Sequence, residues 1–242
     1  MACALKRSML GEWLAPTSVD EFVRSHFGRA PQARPGAASS AVPWFDWAVL
    51  GRVLDQRPSD LLVASRGRLV DAPSPRNLSD VRRLMDAQLG IVIRQSEQHD
   101  AQLADLARAF ARDLSGDVHV QLYVTPAGTQ TFGWHYDFED VFIAQTRGTK
   151  DYYFRDNTLD RNTPLGEEPD FDCVRRETSP LLSSQLVPGD WLYIPRRWWH
   201  LVHSVEDSLS ISIGVLPRAQ ARLELLSSRS VTERRWDSRS RT

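Results

Sequence analysis

Apolar positions recur along this chain in two rhythms, a three-and-four period in the first half and a period of two in the second. Leu103, Leu106, Ala107, Phe110, Ala111 and Leu114 fall at helical spacing, which predicts an amphipathic helix over 99–114 closed by Gly116. Ser18 and Glu21 stand at capping-box spacing, with Phe22, Val23 and Phe27 following, so a short helix is expected over 19–26. Ser79 reads as the N-cap of a helix over 80–88 stopped by Gly90. Short strands are expected at 61–64, 68–70 and 91–93. From 118 onward the pattern is almost entirely β, with strands at 118–124, 141–146, 150–155, 191–194, 201–205 and 209–215. Arg147-Gly148-Thr149 and Pro188-Gly189-Asp190 are read as tight hairpin turns, the second of type II because Pro precedes Gly.

Many short antiparallel strands after a helical start predict a mainly β fold with flanking helices, a double-stranded β-helix or jelly-roll barrel. Residues 1–43 are expected to form an N-terminal helix and a linker arm, since 28–42 is rich in Pro, Ala, Gly and Ser. Trp44, Phe45 and Trp47 then supply aromatic area best used by packing, so the main domain is placed at 44–217. A short helix at 219–226 and a basic tail occupy 218–242. The polar stretch 157–172 is read as a long loop able to cover a binding site.

Composition narrows the partners rather than the fold. The chain has 242 residues, 41% hydrophobic and 25% charged, with a formal net charge of -1, so neither nucleic acid nor an anionic membrane is implied. Its start lacks a sustained apolar run, and Cys3 and Cys173 form no metal or redox motif, which together suggest a reducing, cytoplasmic setting.

The candidate chemistry lies in Phe132-Gly-Trp-His-Tyr-Asp137 and in Trp198-Trp-His200. In a strand, His135 and Asp137 point to one face and present an imidazole beside a carboxylate. A His-x-Asp triplet alone does not separate a metal site from a hydrogen-bonded core histidine. If His200 adds a second imidazole, the set becomes the two-histidine, one-carboxylate face that holds non-haem Fe(II) and leaves coordination positions open. Lys150, on the strand after Gly148, offers a cation for an anion beside that metal, and Tyr123 offers a phenolic donor to the same anion. Trp191, Trp198 and Trp199 are expected to crowd His200 and keep water from it.

The string Leu122 to Asp137, then Val141-Phe-Ile-Ala-Gln145, Gly148-Thr-Lys150, and Pro188-Gly-Asp-Trp-Leu-Tyr-Ile-Pro195 with Trp198-Trp-His200, resembles the JmjC-domain hydroxylases. Within them it is most similar to the cupin-like branch that includes the ribosomal oxygenases, and the Trp-Trp-His ending resembles the asparaginyl hydroxylase type. The resemblance implies an enzyme using Fe(II), 2-oxoglutarate and O2. It implies His135, Asp137 and His200 as iron ligands, with His203 as the alternative third ligand. Lys150 and Tyr123 then match contacts to the distal carboxylate of 2-oxoglutarate, and Gln121 falls where relatives often have Asn beside it. Trp134 replaces a residue that is commonly Pro, which would narrow the pocket.

The implied reaction is hydroxylation of a C–H bond in an amino-acid side chain of a peptide or protein. The alternatives are a free amino acid or small metabolite as substrate, or a cupin-like metal-binding sensor without turnover. The oligomeric state is left open: the resemblance offers a homodimer through C-terminal helices, for which the short 219–226 segment could serve.

Overall fold

The computed structural model describes residues 8–156 and 179–217. The expected loop at 157–172, the helix at 219–226, the basic tail and both cysteines lie outside them. The described helices are α1 (Met9–Leu14), α2 (Val19–Ser25), α3 (Trp47–Asp55), α4 (Leu78–Asp86) and α5 (Ala101–Leu114), with short 3-10 turns at Ser39–Trp44 and Ser96–Gln98. The strands are β1 (Gln32–Arg34), β2 (Leu61–Ser65), β3 (Arg68–Leu69), β4 (Gly90–Ile93), β5 (Gly116–Thr125), β6 (Asp140–Arg147), β7 (Lys150–Arg155), β8 (Leu182–Leu186), β9 (Trp191–Ile194), β10 (Trp199–Ser204) and β11 (Ser208–Pro217).

Two antiparallel sheets face each other. The larger has the order β1-β9-β6-β11-β5-β4-β2-β3 and the smaller β10-β7-β8. The connections expected as hairpins are corners between the sheets, because β6 lies in the larger sheet and β7 in the smaller, and β8 and β9 are likewise divided. Local turn chemistry is the same for both outcomes; the partner is chosen by which faces need covering. At the first corner Gly148 has φ +67, and a Cβ there would lie 2.3 Å from the Asp207 carbonyl oxygen, so the turn stacks directly on the β10–β11 connection.

β6 is buried on both faces, which explains its near-continuous apolar run. Phe142 and Ala144 face the helices, whereas Val141 and Ile143 face the smaller sheet together with Tyr152, Phe154, Leu186, Leu192 and Ile194. Phe142 sits among Phe110, Phe22 and Tyr193, with ring centroids 5.1, 5.7 and 4.8 Å away. Trp191 belongs to this helical side, 6.1 Å from Phe142, and so does not crowd His200 as expected.

Residues 8–43 are part of the same core. Leu10, Trp13, Leu14 and Phe22 are fully buried in it. Strand β1 pairs with β9, Trp191 Nε1 donates to the Trp13 carbonyl at 2.8 Å, and the Asp190 carboxylate accepts the Gly36 amide at 2.7 Å.

Helix ends depart from the local signals. The cap of α4 is Asn77, whose side chain accepts from Asp80 N at 3.0 Å, rather than Ser79. Helix α5 starts at Asp100, which accepts from Gln102 N and Leu103 N, and ends at Ser115 with φ 53. Gly116 and Gly90 are not stops but first residues of strands. Each lacks a side chain for a packing reason: a Cβ at Gly116 would meet Val215 Cγ1 at 2.7 Å, and one at Gly90 would meet Thr131 Oγ1 at 2.5 Å.

Candidate metal and anion site

The segment after β5 runs back along the smaller sheet as a broken edge strand beside β10, held by bridges between Thr129 and Ser204 and between His135 and His200. It is not the continuous strand expected around His135 and Asp137. The juxtaposition still forms, because the Asp137 carbonyl accepts the Arg197 amide at 2.7 Å and fixes the chain beyond His135. His135, Asp137 and His200 each offer a ligand atom, all within 4.8 Å of one another. His200 Nε2 stands 3.5 Å from Asp137 Oδ2.

Both imidazoles are oriented in the same way. His135 Nδ1 is 2.7 Å from the Gly133 carbonyl and His200 Nδ1 is 3.0 Å from the Trp198 carbonyl. A carbonyl oxygen only accepts, so each Nδ1 carries the proton and each Nε2 presents a lone pair. This tautomer control by a second hydrogen bond is what metal-binding histidines require. His203 lies an odd number of residues from His200 along β10, hence on the other face, and is absent from the residues lining the cavity.

The three residues share a cavity with Tyr123, Thr125, Thr131, Phe132, Val141, Ile143, Lys150, Tyr152, Val202, Ser210 and Ser212, enclosing about 570 Å3 with its mouth included. Strand parity builds it: Tyr123 and Thr125 project inward from β5 while Leu122 and Val124 pack on the helices. Lys150 opens β7 directly after the Gly148 corner and is only 2% exposed. Its Nζ donates to Ser210 Oγ at 2.9 Å and lies 5.6 Å from the Tyr123 ring centroid. Among the described residues no carboxylate pairs with it, and burial pushes its pKa down to about 7. Burial also raises the phenols of Tyr123 and Tyr152, helped at Tyr123 by the negative charge of Asp137. Both therefore serve as donors rather than as acids.

Gln121 does not line the cavity; its Oε1 accepts the Tyr123 hydroxyl at 3.1 Å. Trp134 also lies outside the lining, whereas Trp199 packs edge-on against Tyr136 at 4.8 Å and Trp198 against the inter-sheet cluster. Sequence reasoning missed Tyr152, Ser210 and Ser212. The signal was present: along β11, Ser208, Ser210 and Ser212 alternate with Leu209, Ile211 and Ile213, a polar stripe in a strand buried on both faces.

Residues 91–223 match the JmjC domain family, and the chain belongs to it. Ribosomal oxygenase 2 of Mus musculus is 39% identical over 94 residues, 39% of this chain and 19% of that protein. The bifunctional lysine-specific demethylase and histidyl-hydroxylase NO66 of Dictyostelium discoideum is 36% identical over 99 residues, 40% of this chain and 19% of that protein. This chain thus spans only a small part of either relative. The ribosomal oxygenase YcfD of Escherichia coli, solved with cobalt and 2-oxoglutarate, shares the fold with a TM-score of 0.59 at 16% identity, over 94% of this chain and 60% of that one. The jelly-roll expected from the strand pattern is therefore the fold observed. No helix of the described residues is long and apolar enough to cross a membrane.

Proposed function

We propose that this chain is an Fe(II)- and 2-oxoglutarate-dependent oxygenase that hydroxylates a C–H bond of an amino-acid side chain within a peptide or protein. The observation that carries the reading is the convergence of ligand atoms from two imidazoles and one carboxylate within 4.8 Å, in the same cavity as a buried lysine without a carboxylate partner among the described residues. The donor set fits ferrous iron, since nitrogen and carboxylate ligands on one face leave positions for a chelating cosubstrate. Ferrous iron held there would supply the one-electron chemistry that lets dioxygen react, with two of the four electrons coming from the 2-oxo acid as it becomes succinate and carbon dioxide and two from the substrate C–H bond as it becomes an alcohol.

The protein's own residues do the placing. His135, Asp137 and His200 hold the metal; Lys150 receives the distal carboxylate of 2-oxoglutarate, and the Tyr123 hydroxyl, which donates to Gln121 Oε1 in this structure, would turn to donate to it. Ser210, already bonded to Lys150 Nζ, keeps that ammonium aimed into the cavity. Val141, Ile143 and Val202 wall the space between the two ends with apolar surface and limit the water that competes there. A peptide substrate is supported by family membership and by relatives named as ribosomal oxygenases and a histidyl-hydroxylase.

Anaerobic addition of Fe(II) and 2-oxoglutarate tests this reading. A weak visible charge-transfer band, lost in Asp137→Ala, together with succinate formation in air, is the expected result. Mass spectrometry of candidate peptides should then show a gain of one oxygen. Absence of both band and succinate would favour a binding-only sensor.

A further inference from the structure

We infer that the tip of the β2–β3 hairpin is a clamp on the metal-binding segment, and that Gly67 is a positioning residue for His135. This rests on the reading of His135 as a metal ligand.

Among the described residues, the segment from Thr129 to His135 pairs with β10 along one side. On its other side stands the hairpin turn, not a strand: Arg66 N donates to the Gln130 carbonyl at 2.8 Å and Gly67 N to the Thr131 carbonyl at 3.3 Å. The turn thus closes the open edge of the very segment that carries the ligand. The contact is too close for a side chain to fit without a shift of the neighbouring backbone. A Cβ at Gly67 would lie 3.0 Å from Gly133 N and 3.4 Å from Gly133 Cα, and these are backbone atoms that cannot rotate away. Gly133 is also the residue whose carbonyl fixes the His135 imidazole through Nδ1 at 2.7 Å. Pushing Gly133 outward by a few tenths of an ångström moves the acceptor that sets the ring and so misaligns Nε2 with His200 and Asp137. From within the larger sheet Gly90 seats Thr131 in the same segment, leaving it little room to absorb the shift elsewhere.

Gly67 has φ +79, so any substitution there also carries backbone strain. Gly128 separates the two effects: it has φ +71, and a Cβ added to it would meet nothing within 4 Å. Asn tolerates this conformation better than other side chains, so Gly67→Asn and Gly128→Asn differ chiefly in the contact with Gly133.

The experiment is anaerobic Co(II) titration of the full chain, following the d–d absorption, with thermal midpoints measured on the same samples. Gly67→Asn should bind Co(II) about tenfold more weakly than wild type with an altered d–d spectrum, whereas Gly128→Asn should match wild type in both. Equal affinities and spectra in the two variants would overturn the clamp while leaving the metal site standing. Failure of the wild-type chain to bind Co(II) would overturn the metal reading and the clamp with it. Should Gly67→Asn not fold, hydrogen exchange of the wild-type protein decides. Coupling is reciprocal, so Co(II) must slow exchange of the Arg66 and Gly67 amides relative to the Val70 amide at the far end of the hairpin, which bonds the Val63 carbonyl. Unchanged exchange at Arg66 and Gly67 would sink the inference.

Discussion

His135 and His200 are a directly opposed cross-strand pair, each donating its backbone amide to the other's carbonyl, at 3.1 and 2.8 Å. Their ring centroids are 4.1 Å apart. The candidate metal site is therefore an extension of a β ladder, and its spacing is set by backbone pairing rather than by side-chain choice. A slip of one residue in this register would turn one imidazole to the opposite face.

Because the ladder bonds are backbone groups, His135→Ala and His200→Ala should each leave the fold intact. Each is expected to weaken Co(II) or Fe(II) binding by more than tenfold, and the double variant should lose little beyond either single one, since the residues act as a unit. His203→Ala, on the outer face of β10, should bind metal as wild type does. Metal titration with circular dichroism as the fold control checks all four proteins.

Lys150 gives a pH signature. With its pKa lowered by burial to about 7, the ammonium is charged below that pH in the ligand-free protein and largely neutral above it. A dicarboxylate requires the charged form, so its affinity should be flat below about pH 7 and fall as pH rises beyond it, by up to roughly tenfold per unit. Binding at pH 8 should take up close to one proton, seen by calorimetry in buffers of different ionisation enthalpy. Stability of the ligand-free protein moves the other way: between about 7 and the ordinary lysine value of 10.5 the unfolded chain holds the proton the folded one has released, so stability rises with pH. Lys150→Ala should raise the 2-oxoglutarate requirement strongly with metal affinity nearly unchanged, and should abolish the proton uptake.

Helices α2, α4 and α5, most of the strands and the candidate ligand triplet were legible in the sequence because each rests on a short-range pattern or on side-chain chemistry, whereas α1, α3 and β1 were not expected. Pairing was not legible. Gly148 and Gly189 read equally well as hairpin turns and as corners, and only the need to cover β6 on both faces makes them corners. Burial of Lys150 was hidden for the same reason, since nothing local tells that β11 will bring Ser210 against β7. Trp191 was misplaced because three tryptophans within nine residues look like one cluster, while strand parity and the change of sheet send them to different sides. The glycines at 90 and 116 were read as helix stops because close packing by Thr131 and by Val215 and Leu216, far along the chain, leaves no local trace.

The Gly148 corner couples stability to the anion site. Gly148→Ala combines a positive φ with a Cβ 2.3 Å from the Asp207 carbonyl oxygen, a backbone atom. The β6–β7 turn or the β10–β11 turn must move, and Lys150 is only two residues away. A destabilisation of about 2 kcal/mol or more is expected. In the folded fraction 2-oxoglutarate affinity should fall further than metal affinity, because His135 and Asp137 lie on a different segment. Parallel titrations of metal and cosubstrate, with a denaturant midpoint, check this.

The last expectation concerns residues 1–43, which the sequence suggests as an appendage. Leu10, Trp13, Leu14 and Phe22 are each fully buried, and burying a large apolar side chain contributes roughly 1.5–3 kcal/mol. Together they approach the whole stability of an ordinary domain, about 5–15 kcal/mol. Removing them also bares Trp191, Tyr193 and Phe142 and frees the β9 edge that β1 now covers. A chain beginning at Trp44 should therefore bind a hydrophobic dye, show no cooperative melting and aggregate, rather than behave as a smaller active domain. Trp13→Ala in the full chain tests the same packing more gently, with an expected cost of about 3–5 kcal/mol by denaturant titration. A truncated chain that melts cooperatively and binds Co(II) as tightly as the full one would show that the arm merely decorates the barrel.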